Sequence, residues 1–179
     1  GKNEGNIEVG CIMKCPDCGI NDELCLGGGP NPHFHPDNFH PQGIFRPNID
    51  IMVHPNVDMC YNLENGIPFH DNHAQELRAV HLIQHFSWKR VPFFFDECYR
   101  VLKPGGHLYI MVSDLNWVFQ QVLKEGLTSG HVCSIWGEHD YQSDFHKTGF
   151  TYDLAKQHME KAGFVRITPP FKRNDWEVS

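Results

Sequence analysis

Positions 91, 94, 95, 98 and 102 hold Val, Phe, Phe, Cys and Leu, one face of a helix with a 3.6-residue period. This pattern predicts an amphipathic helix from about Trp88 to Leu102. It stops at Lys103-Pro104-Gly105-Gly106, where proline cannot continue the helix and the glycines allow a tight turn with positive φ. The apolar run 108–112 then predicts a strand over 107–113, buried on both faces of a parallel sheet. Similar patterns predict strands at 23–26, 49–53, within 57–63 and at 76–83. The segments 164–168 and 176–179 read as last strands paired antiparallel. Helices are expected near 115–125 and from a Thr151 cap to Ala162, with Gly163 as the stop. Five prolines between 30 and 47 exclude a regular helix there, and 126–150 reads as a long loop.

Strands alternating with helices give an α/β fold: a Rossmann-like open twisted, mostly parallel sheet with flanking helices and an antiparallel last strand. In such sheets ligands bind at the carboxyl ends of the strands, near the point where strand order reverses. The loops 27–31, 50–54 and 61–70 are therefore expected to converge on a site.

The 179 residues suffice for one domain with a real core, and 23–179 is read as that domain. Residues 1–22 form a polar, cysteine-containing amino-terminal segment. A formal charge of −7 argues against nonspecific nucleic-acid binding. No apolar run approaches the roughly 20 residues that span a bilayer, and no signal-peptide pattern is visible. Seven cysteines, an odd number, point to a reduced, cytoplasmic setting.

Five segments in order, across about 23–168, carry a resemblance. Leu24-Cys25-Leu26-Gly27-Gly28-Gly29-Pro30 has glycines at a strand tip, where a Cβ would block close approach of a ligand. Asn48-Ile49-Asp50-Ile51 follows about twenty residues on, with an acidic side chain able to accept from ribose hydroxyls. Asn62-Leu63-Glu64-Asn65-Gly66-Ile67-Pro68-Phe69, Val80-His81-Leu82-Ile83-Gln84-His85-Phe86, and the Lys103 turn with His146-Lys147-Thr148-Gly149-Phe150 complete the set. Together they resemble a class I S-adenosylmethionine-dependent methyltransferase, of the small type 11-like family. The resemblance implies methyl transfer to a small-molecule, sugar or protein acceptor. It implies S-adenosylmethionine contacts from Gly27, Gly29, Asp50, Asn62, Leu63 and His81. Cys25 and Gln84 depart from the family's usual acidic or amide residues, and the helix after the glycines is replaced by the 30–47 loop. These departures keep open a second reading, an inactive methyltransferase-like subunit of a larger assembly.

An alcohol-like acceptor needs a general base, and His81, His139 and His146 are the candidates, because imidazole titrates near neutral pH. Each of the thirteen histidines also has a bland reading as a surface or satisfied core residue. Cys11, Cys15 and Cys18 form a knuckle-like C-x3-C-x2-C that can present thiolates to zinc, with Cys25, His33 or His35 as fourth ligand. Free thiols, a disulfide, or an iron–sulfur motif of the radical S-adenosylmethionine type are the alternatives for that spacing. His33, His35 and His40 read as a solvated proline-rich loop rather than a metal site.

Overall fold

The computed structural model describes residues 23–29, 47–140, 143–168 and 177–178. Its frame is a sheet of five parallel strands in the order β3-β2-β1-β4-β5. These are β1 (Glu23–Leu26), β2 (Asn48–Asp50), β3 (Met59–Cys60), β4 (Ala74–Val80) and β5 (Leu102–Ser113). In place of the expected antiparallel last strand there is only a two-residue pairing. That segment, β6 (Glu177–Val178), runs against Ser113 and Val112, while 164–168 is irregular.

The helix predicted from the 91, 94, 95, 98 face is α1 (Val91–Val101), preceded by a single 3-10 turn at Trp88–Arg90. All four residues of that face, and Leu102 just beyond the helix, are buried, Val91, Phe95 and Cys98 completely. Burying a large apolar side chain is worth about 1.5–3 kcal/mol, so this face alone anchors α1 to the sheet. It meets Leu24, Leu26, Ile49, Leu77, Ala79, Ile110 and Val112, which alternate along their strands toward one side. The helix α4 (Tyr152–Ala162) packs beside α1 and brings Ala155 to the same core. Thr151 caps α4 by accepting from Leu154 N, and Gly163 ends it at φ 108°.

The Pro104-Gly105-Gly106 stretch is less a turn between elements than an interruption inside β5. Leu102 pairs with Ala74 and His107 with Glu76, so four residues bulge opposite Gln75. Gly105 has φ 80°, and a Cβ on Gly106 would lie 2.9 Å from two carbonyl oxygens. Burial on both faces of β5 holds for Ile110, Met111 and Val112, whereas Leu108 and Tyr109 are half-buried.

The other side of the sheet also holds a buried charge. Arg78, in register with Cys25 on β1 and Tyr109 on β5, is buried there. Its guanidinium pairs with Glu76 at 2.7 Å and lies 5.4 Å from the Tyr109 ring centroid. After β5 come α2 (Leu115–Glu125), where predicted, and α3 (Ser129–Trp136), inside the stretch read from sequence as a loop. Among the described residues no helix is long and apolar enough to cross a membrane.

Candidate active site

Strand order reverses between β1 and β4, and the turn Gly27-Gly28-Gly29 sits at the carboxyl end of β1. Gly27 donates to Ile49 O at 2.7 Å and has φ 68°; Gly29 has φ 55°. The three glycines answer to different needs. A Cβ on Gly27 would lie 2.5 Å from Leu82 Cδ1, and one on Gly28 would lie 2.4 Å from Asn48 Oδ1. At Gly29, which lines the cleft, no atom of the described residues lies within 4 Å of that position. So the first two glycines clear space for the protein's own packing, and the third leaves space for a ligand.

Asp50, at the tip of β2, points at this turn. Its Oδ2 accepts from Gly29 N at 2.9 Å and its Oδ1 from Met52 N at 2.9 Å. Each carboxylate oxygen has two lone pairs, so one on each remains for a ligand hydroxyl. Asn48 braces the same turn from below: its Oδ1 accepts from Gly28 N, and its Nδ2 donates to Gly29 O and Asn56 O.

The cleft above has a volume of about 530 Å³, within the ~300–1,000 Å³ usual for small-molecule sites. Residues 27–29, 50–52 and 61–64 line one side, as the converging loops predict. Ile51 presents an apolar side chain there at 51% exposure, next to buried Leu63. Asn62 caps a 3-10 turn at Leu63–Asn65 by accepting from Glu64 N at 3.0 Å. The other side is built from residues 80–86, Ser113, α3 and 143–147. At the end of β4, His81 has φ 50°, an uncommon conformation outside glycine, and donates its backbone N–H to Met111 O.

The strand order, the glycine turn and the facing carboxylate are those of one fold group. Residues 50–110 match the family model described as a methyltransferase domain. The fold is that of the class I S-adenosylmethionine-dependent methyltransferases. The chain superposes on the PH0226 protein of Pyrococcus horikoshii OT3 with TM-score 0.58 at 16% identity, covering 86% of this chain and 77% of that one. A SAM dependent methyltransferase from Archaeoglobus fulgidus gives 0.53 at 16% identity, with 87% and 66% covered. A chain from the complex containing the Haloferax volcanii Trm112 methyltransferase activator gives 0.51 at 14%, with 88% and 74% covered. No curated protein matches the sequence significantly.

On this methyltransferase fold, Gly27, Gly29, Asp50, Asn62, Leu63 and His81 all line the one cleft. His146 lines it too, with Nδ1 3.2 Å from Ser134 O and its ring 5.0 Å from that of His85. Burial, then the charge of His85, holds His146 below the usual imidazole range, against smaller opposing effects of the Ser134 carbonyl and Asp144. His139 is elsewhere: it stacks on Phe145 at 4.1 Å, and its Nε2 meets Trp136 O at 2.7 Å. Sequence reasoning placed Glu64 in a loop expected to reach the site but singled out neither His85 nor Lys147, which also line the cleft. Lys147 Nζ lies 3.4 Å from Glu64 Oε1, which also accepts from Ser87 N. The position of His85 beyond a strand that flanks the reversal of strand order was the available signal.

The zinc expectation is not supported. Cys11, Cys15 and Cys18 lie outside the described residues, as do His33, His35 and His40. Among the described residues no group of three or more His, Cys, Asp or Glu is placed to hold a metal. Cys25 lies in β1, where burial and then Asp50 push its thiol up to about 12, so it offers no thiolate at neutral pH.

Proposed function

We propose that the chain binds S-adenosylmethionine in this cleft and transfers its methyl group to a small-molecule acceptor. The observation that carries the reading is the Asp50 carboxylate, held against an open Gly29 with a lone pair on each oxygen to spare. Those oxygens suit a ribose diol, Ile51 and Leu63 supply apolar surface for a purine, and Asn62 lies beside them with a carboxamide for its edge. The bare space at Gly29 and the turn's backbone suit the methionine end of the cofactor.

When bound, S-adenosylmethionine supplies a sulfonium methyl already activated toward nucleophiles. The protein's part is then mainly alignment, which can supply a large share of rate enhancement. His81, Gln84 and His85, with Asp144, His146 and Lys147, line the same cleft and shape where an acceptor approaches. The second reading, an inactive subunit, rested on departures at Cys25, Gln84 and the 30–47 loop. It is disfavoured because Asn48 and Asp50 hold the glycine turn without a polar side chain at position 25. We infer further that 23–179 acts as one domain, with 1–22 as a separate segment.

Calorimetric titration with S-adenosylhomocysteine tests the reading. A dissociation constant below ~100 μM, about −5.5 kcal/mol, is expected, and no binding at that concentration overturns it.

A further inference from the structure

Among the described residues, three side-chain acceptors of the cleft lining have no donor bonded to them. Gln84, only 3% exposed, borders the cleft, and its buried side-chain Oε1 has no hydrogen-bond partner. A buried polar atom left unmatched costs roughly 1–3 kcal/mol, so such an atom beside a cleft points to a ligand. His85 Nδ1 lies 3.2 Å from Phe145 O and His146 Nδ1 lies 3.2 Å from Ser134 O. A carbonyl only accepts, so each Nδ1 carries the proton and each Nε2 keeps a lone pair. Charge runs the same way. Among the described residues, Asp50, Glu64, Glu138 and Asp144 line the cleft against one lysine, Lys147, which is already paired with Glu64.

Resting on the methyl-transfer reading above, we propose that the acceptor is a small amine. Its ammonium group is received by Gln84 Oε1 and the Nε2 atoms of His85 and His146, and His146 is the catalytic base. An ammonium ion carries up to three N–H donors and a positive charge, matching three acceptors in a cleft lined by more carboxylates than cations. An anionic acceptor meets the reverse of both. In the reaction, the ammonium gives one proton to His146 Nε2, which becomes imidazolium. The nitrogen lone pair then forms a bond to the methyl carbon as the carbon–sulfur bond breaks, its electron pair staying on sulfur. The products are a methylated ammonium and S-adenosylhomocysteine, and the imidazolium returns its proton to water. His146 faces His85, His81, Asp144 and the Ser134 carbonyl, and its burial keeps it neutral, so that Nε2 is free to accept.

The test uses the whole chain saturated with S-adenosylhomocysteine and three probes of one size: phenethylamine, 2-phenylethanol and phenylacetate. Binding is followed by ligand-observed NMR. Phenethylamine is expected to bind at least tenfold tighter than phenylacetate. Gln84→Leu is expected to weaken phenethylamine at least about fivefold while S-adenosylhomocysteine affinity stays within about twofold. Because Gln84 is buried, Gln84→Glu is the companion: its added carboxylate should tighten phenethylamine, a change misfolding would not produce. With labelled S-adenosylmethionine, His146→Gln should lower kcat for phenethylamine far more than it raises KM, with partial rescue by added imidazole. Equal or tighter binding of phenylacetate, failure of all three probes, or indifference of phenethylamine to both Gln84 variants overturns the amine assignment. Failure of S-adenosylhomocysteine itself to bind overturns instead the reading on which it rests.

Discussion

Replacing Asp50 tests the site at its centre. The carboxylate accepts two backbone hydrogen bonds of 2.9 Å, from Gly29 and Met52, in a residue only 9% exposed. Hydrogen bonds to a charged group contribute about 1.5–3 kcal/mol each. In Asp50→Ala the Gly29 N–H can turn to water in the open cleft, but the Met52 N–H is half-buried. The stability loss is therefore about 2–4 kcal/mol, read by urea denaturation. Ligand binding loses more. Two charge-assisted bonds to a ribose diol amount to about 3–6 kcal/mol, and each 1.4 kcal/mol is tenfold in affinity. Allowing for water that takes their place, S-adenosylhomocysteine should bind at least about 100-fold more weakly by calorimetry. Asp50→Asn keeps one acceptor oxygen but sets an NH2 group against a backbone N–H, so it should fall between the two. A folded Asp50→Ala protein that binds S-adenosylhomocysteine within about threefold of the parent would refute the assignment of this carboxylate to the ligand.

The glycines should separate packing from binding. Gly28→Ala puts a Cβ against Asn48 Oδ1 and Cys25 Sγ and is expected to cost ~1–3 kcal/mol of stability by thermal or urea unfolding. Gly29→Ala meets no atom of the described residues but must hold φ 55°, about 1–2 kcal/mol, and its larger effect should fall on S-adenosylhomocysteine affinity. His158 stacks on Phe95 with a buried Nε2 that has no partner, and burial, then Lys161, holds it below the usual imidazole range. The folded state thus favours neutral His158, so its contribution is present above the unfolded value near 6.5 and is lost as pH falls. His158→Phe should flatten the fall in Tm between pH 7 and 5; an unchanged slope would assign that fall to other groups, His146 among them. Cys25, with its thiol pushed up to about 12, should resist alkylation at pH 8 in the folded protein. Half-buried Cys133, on the cleft, should react there and be protected by S-adenosylhomocysteine, as peptide mapping would show.

The legible parts of the sequence were those where one period dominates. The face of α1 and the apolar run in β5 are set by burial against a single core, and both read directly from residue spacing. The helix α3 was hidden because its signals are atypical. Gly130 sits in its first turn, and the capping box pairs Thr128 with His131 where Glu or Gln is the usual partner. His131 is fully buried and its Nδ1 meets the Thr128 backbone and hydroxyl, a role no periodicity announces. The alternation at 164–168 misled for the opposite reason. Phe164 packs edge-on against Tyr99, but Val165 is 90% exposed, and the segment has no ladder to join. Among histidines, type alone could not sort His146 from His139. Their surroundings separate them: His146 meets Ser134 O in the cleft lining, and His139 meets Trp136 O outside it.

Cys25 shows why a departure at one position of the first motif need not empty the site. A polar side chain there would act from β1 itself, beneath the glycine turn. The neighbouring strand supplies the hydrogen bonds instead. Asn48, fully buried, holds Gly28 and Gly29 by two hydrogen bonds of its amide, and its own N–H donates to Asp58 at 2.8 Å. Two residues on, Asp50 holds Gly29 from the cleft side. Residues two apart on a strand share a face. One strand therefore both braces the turn and presents the carboxylate to a ligand, and Cys25 is left as an apolar filler whose Sγ would lie 2.6 Å from a Cβ at Gly28. The glycine at 28 and the cysteine at 25 are in that sense one packing solution: the larger sulfur is accommodated because the turn above it carries no side chain.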